Sequence, residues 1–163
     1  MKIICLGGGP AGVYLAISVK LRKPRTDITV YERNRPGDTF GWGVVLSDQT
    51  VDNLRQNDPS SAQAIIDELV HWDYIDVHLG GQMERSGGHG FIGIGRRRML
   101  QILYERAREL GIRLVFEYEF DVESIQSDFG DADLIVAADG LNSKIRNSDL
   151  KGFDCDIDMR PNK

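Results

Sequence analysis

The chain has 163 residues, enough for one compact domain, with 41% hydrophobic and 28% charged residues, as in an ordinary globular protein. Its net charge of -5 gives no basic footprint for nucleic acid, and no segment approaches the roughly 20 apolar residues of a membrane span. Two cysteines, Cys5 and Cys155, are too few for a disulfide scaffold. Cys5 lies in an apolar run, which suits a buried small side chain in a reducing, cytoplasmic setting.

In chain order, KIICL (2–6) reads as a strand buried on both faces. GGGPAG (7–12) follows, and then VYLAISVKLRK, a helix with Leu15/Val19 and Ile17/Leu21 four apart. Its basic end suits the negative pole of the helix dipole, and Pro24 stops it. The apolar run is cut too soon for a secretory signal, and a flexible leader would not lead straight into a periodic helix. DITVYE is the second strand, completing a βαβ unit of about 30 residues.

RPGDTFGWG (35–43) reads as a loop. SDQTVDNLRQND is a helix with Ser47 as N-cap, and a second helix follows Pro59. YIDVHL alternates apolar and polar residues, turns at Gly80–Gly81 and returns as QMERS, so a small antiparallel excursion is expected over about 73–95. FIGI reads as a further strand. RRRMLQILYERAREL is a helix with Leu100, Leu103, Ala107 and Leu110 on or near one face and Gly111 as its stop. IRLVFEY and DLIVAAD are strands, the second buried and ending at Asp139. The fold class expected is α/β, a Rossmann-like domain with a parallel sheet. The last residues, DCDIDMRPNK, bring no terminal helix, so the chain is expected to be the N-terminal part of a longer protein.

Gly7, Gly9 and Gly12 match G-x-G-x-x-G. Gly7 allows the tight turn, Gly9 lets the backbone approach a pyrophosphate, and Gly12 lets helix and strand pack closely. A glycine loop that only joins strand to helix is the bland alternative. Here a strand precedes the loop, a helix follows it, and Glu32 comes 20 residues after Gly12, the spacing of an acid that accepts ribose hydroxyls. A carboxylate there repels a 2′-phosphate, which favours the adenosine of FAD or NAD over NADP. A second constellation, DLIVAADGLNSKIR, puts Asp139 and Gly140 at a strand end, with Ser143 and Arg146 one helical turn apart. Alone, it could equally be a strand-to-helix turn capped by Asn142 or Ser143.

Together, the glycine fingerprint, the acid-ended second strand and the later D-G-x-x-S-x-x-R resemble the flavin-dependent aromatic hydroxylases, the FAD monooxygenases of the p-hydroxybenzoate hydroxylase type. VYERNRPGDTFGWGVVLSDQT, HWDYIDVHLGG, SGGHGFIGIGRRRMLQIL and DIDMRP resemble the N-terminal part of that family's aryl-CoA branch, the salicyloyl-CoA 5-hydroxylase and 2-aminobenzoyl-CoA (anthraniloyl-CoA) monooxygenase type. A tryptophan-derivative hydroxylase of pigment biosynthesis also carries a GWGVV-like loop.

The resemblance implies one FAD-binding domain over 1–163, with the β excursion reaching toward a substrate domain. It implies FAD bound by Gly7, Gly9, Pro10, Ala11, Gly12 and Glu32, with Arg33 flanking the adenosine. Arg96 matches the arginine that contacts FAD phosphate or ribose, although Arg97 and Arg98 leave the register open and a solvated face is the alternative. Gly41, Trp42 and Gly43 would shape the loop near the isoalloxazine; a core tryptophan is the alternative for Trp42. Asp139 and Gly140 would serve both FAD and the reduced nicotinamide. The implied reaction hydroxylates an electron-rich ring of a small-molecule aromatic substrate, a CoA thioester, with NADH or NADPH and O2. No Ser–His–Asp, Cys–His or paired-carboxylate set is expected, because the flavin carries the chemistry. His71, His78 and His89 lack partners at metal-ligand spacing, so no metal is expected. A non-catalytic FAD- or NAD-binding subunit and a plain dehydrogenase are the rival readings.

Overall fold

The computed structural model describes residues 1–39, 41–149, 151–154 and 158. Phe40, Cys155 and the DIDMRP stretch apart from Asp158 lie outside the described residues, as does the side chain of His89. The elements in order are β1 (Lys2–Leu6), α1 (Pro10–Arg22), β2 (Asp27–Tyr31), β3 (Gly43–Leu46), α2 (Asp48–Asn57), α3 (Pro59–Ile66) and β4 (Val70–Leu79). They continue as β5 (Gln82–Gly95), α4 (Arg96–Glu109), β6 (Arg113–Val115), α5 (Ile125–Phe129), β7 (Leu134–Ala137) and α6 (Lys144–Ser148). The chain forms two compact units, Met1–Arg35 with Ile112–Lys163, and Pro36–Gly111.

The first unit is built on a parallel sheet of order β6-β2-β1-β7. β1 pairs with β2 from Lys2↔Asp27 to Leu6↔Tyr31, and with β7 from Ile3↔Leu134 to Leu6↔Ala137. Ile3, Ile4, Cys5 and Leu6 are all buried, as the unbroken apolar run requires of a strand covered on both faces. Ile4 and Leu6 pack with Phe129 of α5, against Tyr31, Tyr118, Phe120 and Ile145. The rings of Tyr31 and Tyr118 lie 4.7 Å apart and those of Tyr31 and Phe129 5.0 Å apart. Ile3 and Cys5, at the alternate positions of the strand, face the other side of the sheet.

α1 packs on β1 and β2 through Gly12, Val13, Ala16 and Ile17. The expected Leu15/Val19 pairing is not the packed stripe, since Leu15 is 40% exposed. VYLAISV is apolar at nearly every position, so its periodicity does not single out one face. β7 also corrects an expectation. It ends at Ala137, short of Asp139, and Leu134 is 49% exposed. Among the described residues it is an edge strand, which explains why an apolar segment is only half covered.

The second unit combines a three-stranded antiparallel sheet, order β3-β5-β4, with α2, α3 and α4. The excursion expected at 73–95 starts at Val70, and FIGI is the far end of the long β5 and not a separate strand. β3, of which the sequence reading places Gly43 in a loop and assigns no element to residues 44–46, pairs with β5 from Gly43↔Gly95 to Leu46↔Ile92. α4 buries Met99, Leu100, Ile102, Leu103, Tyr104 and Ala107. Ser47 caps α2, its hydroxyl accepting the Thr50 N–H at 3.2 Å. Asp58 ends α2 and caps α3; it is 2% exposed and takes both prongs of Arg106 at 2.8 and 2.9 Å.

Candidate functional site

In the first unit, the two motifs far apart in sequence meet at the carboxyl edge of the sheet, because β7 is the neighbour of β1. In open α/β sheets ligands bind in the crevice at this edge. Gly7 has φ +120 and donates its N–H to the Tyr31 carbonyl at 2.8 Å. A Cβ on Gly7 would overlap the Ala138 carbonyl oxygen and lie 2.9 Å from the Asp139 nitrogen. A Cβ on Gly12 would overlap the Gly7 carbonyl oxygen. Gly7 and Gly12 are therefore required by packing within the protein.

Gly9 differs. A Cβ there would meet nothing within 4 Å. Gly9 is the N-cap of α1, with no side-chain cap bond, and Pro10 takes the first helical turn without an N–H of its own. The next donors, Ala11 and Gly12, belong to the helix end that lacks intrahelical acceptors. The result is an open space in front of a helix N-terminus, the electrostatic setting for an anion.

Glu32 follows β2 and turns its carboxylate back to the glycine turn. Oε2 accepts the Gly8 N–H at 2.8 Å, and Oε1 accepts both the N–H and the Nδ2 of Asn34, at 2.8 and 2.6 Å. Arg33 is exposed; the hydrogen bond and charge of Lys144, with a smaller contribution from the Arg33 charge, hold the Glu119 carboxyl below the usual carboxylate range. On the other side of β1, Asp139 accepts the Lys144 N–H at 2.7 Å, and Ser143 accepts the Arg146 N–H at 3.0 Å as cap of α6. Gly140 between them has φ +84, a backbone state that favours glycine. Both the capping reading of Ser143 and the sheet-edge placement of Asp139 hold together.

In the second unit, the GWG loop and the start of α4 are joined. Arg96 donates its N–H to the Trp42 carbonyl at 3.3 Å, and Gly43 pairs with Gly95. A Cβ on Gly41 would lie 4.0 Å from Arg96 Cδ. The three arginines are unlike one another. Arg98 is exposed and paired with Glu68 at 2.8 and 3.0 Å, and Arg97 is exposed. Arg96 is half-buried, and its Nε is a buried nitrogen without a protein partner among the described residues. The solvated-face alternative thus fits Arg97 and Arg98 and not Arg96. Trp42 is 99% exposed, which removes the core-tryptophan alternative.

In the first unit, Gly9 leaves a space that a Cβ would fill at a helix N-terminus, which suits the pyrophosphate of FAD. In the second unit, Arg96 presents a buried Nε without a protein partner among the described residues. Gly8 and Asn34 were missed by sequence reasoning. The signals available were the middle one of three consecutive glycines and an amide two residues after the acid. Among the described residues no group of three or more His, Cys, Asp and Glu could hold a metal ion. No helix among them is long and apolar enough to cross a membrane.

No family model matches the chain. It is 42% identical over 146 residues to salicyloyl-CoA 5-hydroxylase of a Streptomyces species, covering 90% of this chain and 28% of that protein. It is 33% identical over 153 residues to 3-hydroxy-4-methyl-anthranilyl-[aryl-carrier protein] 5-monooxygenase of Streptosporangium sibiricum, covering 94% of this chain and 42% of that protein. The chain is a relative of these monooxygenases. It spans between about a quarter and two fifths of their lengths. Among solved structures, 2-methyl-3-hydroxypyridine-5-carboxylic acid oxygenase matches with a TM-score of 0.71 at 24% identity, over 90% of this chain and 41% of that one. CtdE in complex with FAD matches with a TM-score of 0.69 at 19% identity, over 91% and 40%. At these identities the structures establish the fold, the Rossmann-like α/β class with an added antiparallel sheet.

Proposed function

We propose that the full-length protein is an FAD-dependent monooxygenase that hydroxylates an aromatic acyl-CoA thioester, aminobenzoyl-CoA or salicyloyl-CoA, with NADH or NADPH and O2. The observation that carries the reading is the glycine turn with open space at Gly9, flanked at one sheet edge by Glu32 and by the Asp139–Gly140 loop. Kinship with two monooxygenases named for thiol-carried aryl substrates supports it. FAD, when bound, supplies the redox chemistry that activates O2.

The chain's own residues bind and orient. Gly9 lets the pyrophosphate reach the N–H groups of Ala11 and Gly12, beside Pro10. Gly7 and Gly12 hold the turn shut behind it. Glu32 accepts a ribose hydroxyl and excludes a 2′-phosphate, and Arg33 flanks the adenosine. Arg96 gives its unpaired Nε to a phosphate or ribose oxygen of FAD. Gly41, Trp42 and Gly43 border the isoalloxazine and keep water from it. Asp139 and Gly140 serve FAD and the nicotinamide. The whole of 1–163 acts as the FAD-binding domain, with β4 and β5 reaching toward a substrate domain, in a cytoplasmic protein.

A thioester leaves the aromatic ring uncharged, so the pocket need not clamp a carboxylate. An aromatic acyl group on a carrier protein is the second reading, favoured by the name of the second relative. The test is substrate-stimulated oxidation of NADH and NADPH by the full-length protein, comparing each free acid with its CoA thioester. Stimulation by the thioester with coupled hydroxylation is expected. Stimulation by the free acid alone would overturn the thioester assignment.

A further inference from the structure

We propose that Asn34 is a positioning residue that locks the Glu32 carboxylate, with the Gly8 N–H, so that its remaining acceptor site lies on Oε2, the oxygen bonded to the glycine turn. The proposal deepens, and rests on, the reading of Glu32 as the ribose acceptor. A carboxylate offers about four acceptor sites. Three are filled among the described residues: two on Oε1 by the N–H and Nδ2 of Asn34, and one on Oε2 by Gly8. The open site is on Oε2, the oxygen bonded to the turn. Glu32 therefore takes one hydroxyl at Oε2 while Asn34 holds Oε1.

Gly8 is part of the same device. A Cβ at Gly8 would lie 2.7 Å from Glu32 Cβ and 3.1 Å from Oε2, so only glycine lets the carboxylate come this close to the turn. The loop carrying Asn34 is itself tied down, its carbonyl accepting the Glu117 N–H at 3.2 Å while Arg35 pairs with Glu117 at 3.1 Å. A long flexible carboxylate loses rotamer freedom when it binds a ligand; Asn34 and Gly8 impose that loss in the folded chain beforehand.

The experiment titrates the full-length apoprotein with FAD, followed by flavin fluorescence, and uses FMN as a probe that lacks the adenosine. The variants are Glu32→Gln, Asn34→Ala, Asn34→Asp, Gly8→Ala and the Glu32→Gln/Asn34→Ala double variant. Asn34→Ala should weaken FAD about 5- to 10-fold. The isosteric Asn34→Asp, which replaces a donor by a like charge, should weaken it more. FMN affinity should not move in either. In the Glu32→Gln background Asn34→Ala should have no further effect, since a residue acting through Glu32 is not additive with it. A merely structural role would weaken FAD and FMN alike and add in both backgrounds. Wild-type FAD affinity in both Asn34 variants, with Glu32→Gln still weakened, overturns the proposal alone. Wild-type affinity in Glu32→Gln overturns the ribose reading and the proposal with it. Should Asn34→Ala fail to fold, Asn34→Asp and Gly8→Ala decide by the same comparison.

Discussion

Gly7 touches the backbone of Ala138 so closely that a methyl group on Gly7 would overlap the Ala138 carbonyl oxygen. Two segments 131 residues apart are thereby fitted to each other at the end of neighbouring strands, and the fingerprint loop cannot be changed without moving the Asp139–Gly140 loop. Gly7→Ala should be destabilising for two reasons, a φ of +120 that alanine resists and the overlap itself. Strain and overpacking each cost about 1–3 kcal/mol. Urea unfolding should show a lower midpoint with an unchanged slope; an unaltered midpoint would mean the two loops are not in contact.

In the second unit, the buried pair of Asp58 and Arg106 ties α2 and α3 to α4. Burial alone would push the Asp58 carboxyl up, but hydrogen bonds from Arg106 and Ser61 and the Arg106 charge outweigh it and hold it below its ordinary value. The folded state therefore binds the proton less readily than the unfolded chain. Its stability contribution is complete above the unfolded value of about 4 and is lost as the pH falls through the lower folded value. Asp58→Ala leaves Arg106 without its bidentate partner and should cost about 3–5 kcal/mol, measured by thermal or urea unfolding at pH 7. The difference between wild type and variant should shrink in acid, and a difference that grows instead would refute the assignment.

Trp42 is held by its backbone while its ring stays in solvent. Trp42→Ala should leave stability within about 0.5 kcal/mol of wild type. It should weaken flavin binding or change the flavin absorbance band. A large loss of stability with unaltered flavin spectra would return Trp42 to the core.

Cys5 is fully buried in β1, and burial pushes its thiol up to about 11. At pH 8 it should resist iodoacetamide in the folded protein and react only once the chain is unfolded, because the thiolate is the reactive form. Peptide mass mapping of native and denatured samples reads this directly. Alkylation of Cys5 under native conditions would show that β1 opens far more readily than a central strand should.

The features legible in the sequence were those whose residues are contiguous. The β1 run, the glycines, Pro10 and the spacing to Glu32 lie within one βαβ unit, where local rules apply. β3 was missed because GVVL is four residues long and acquires its pairing from β5, some fifty residues later. α5 is five residues, and its Phe129 matters through Tyr31 and Ile4, which no local pattern announces. The distinction among Arg96, Arg97 and Arg98 came from their unequal burial, with a buried Nε on Arg96, and from Glu68, a partner of Arg98 on another part of the chain. The Asn34 clamp depends on side-chain directions that spacing does not carry.

Whether GGGPAG holds FAD is decided most directly by titrating the full-length apoprotein with FAD, by flavin fluorescence, in wild type and in Gly9→Val. Gly9 is the one fingerprint glycine whose Cβ position faces open space, so the variant should keep its fold, verified by circular dichroism. Saturable one-to-one binding by wild type and none by the folded Gly9→Val is the predicted result. Equal affinity of the two proteins would contradict it and leave GGGPAG as no more than a turn between strand and helix.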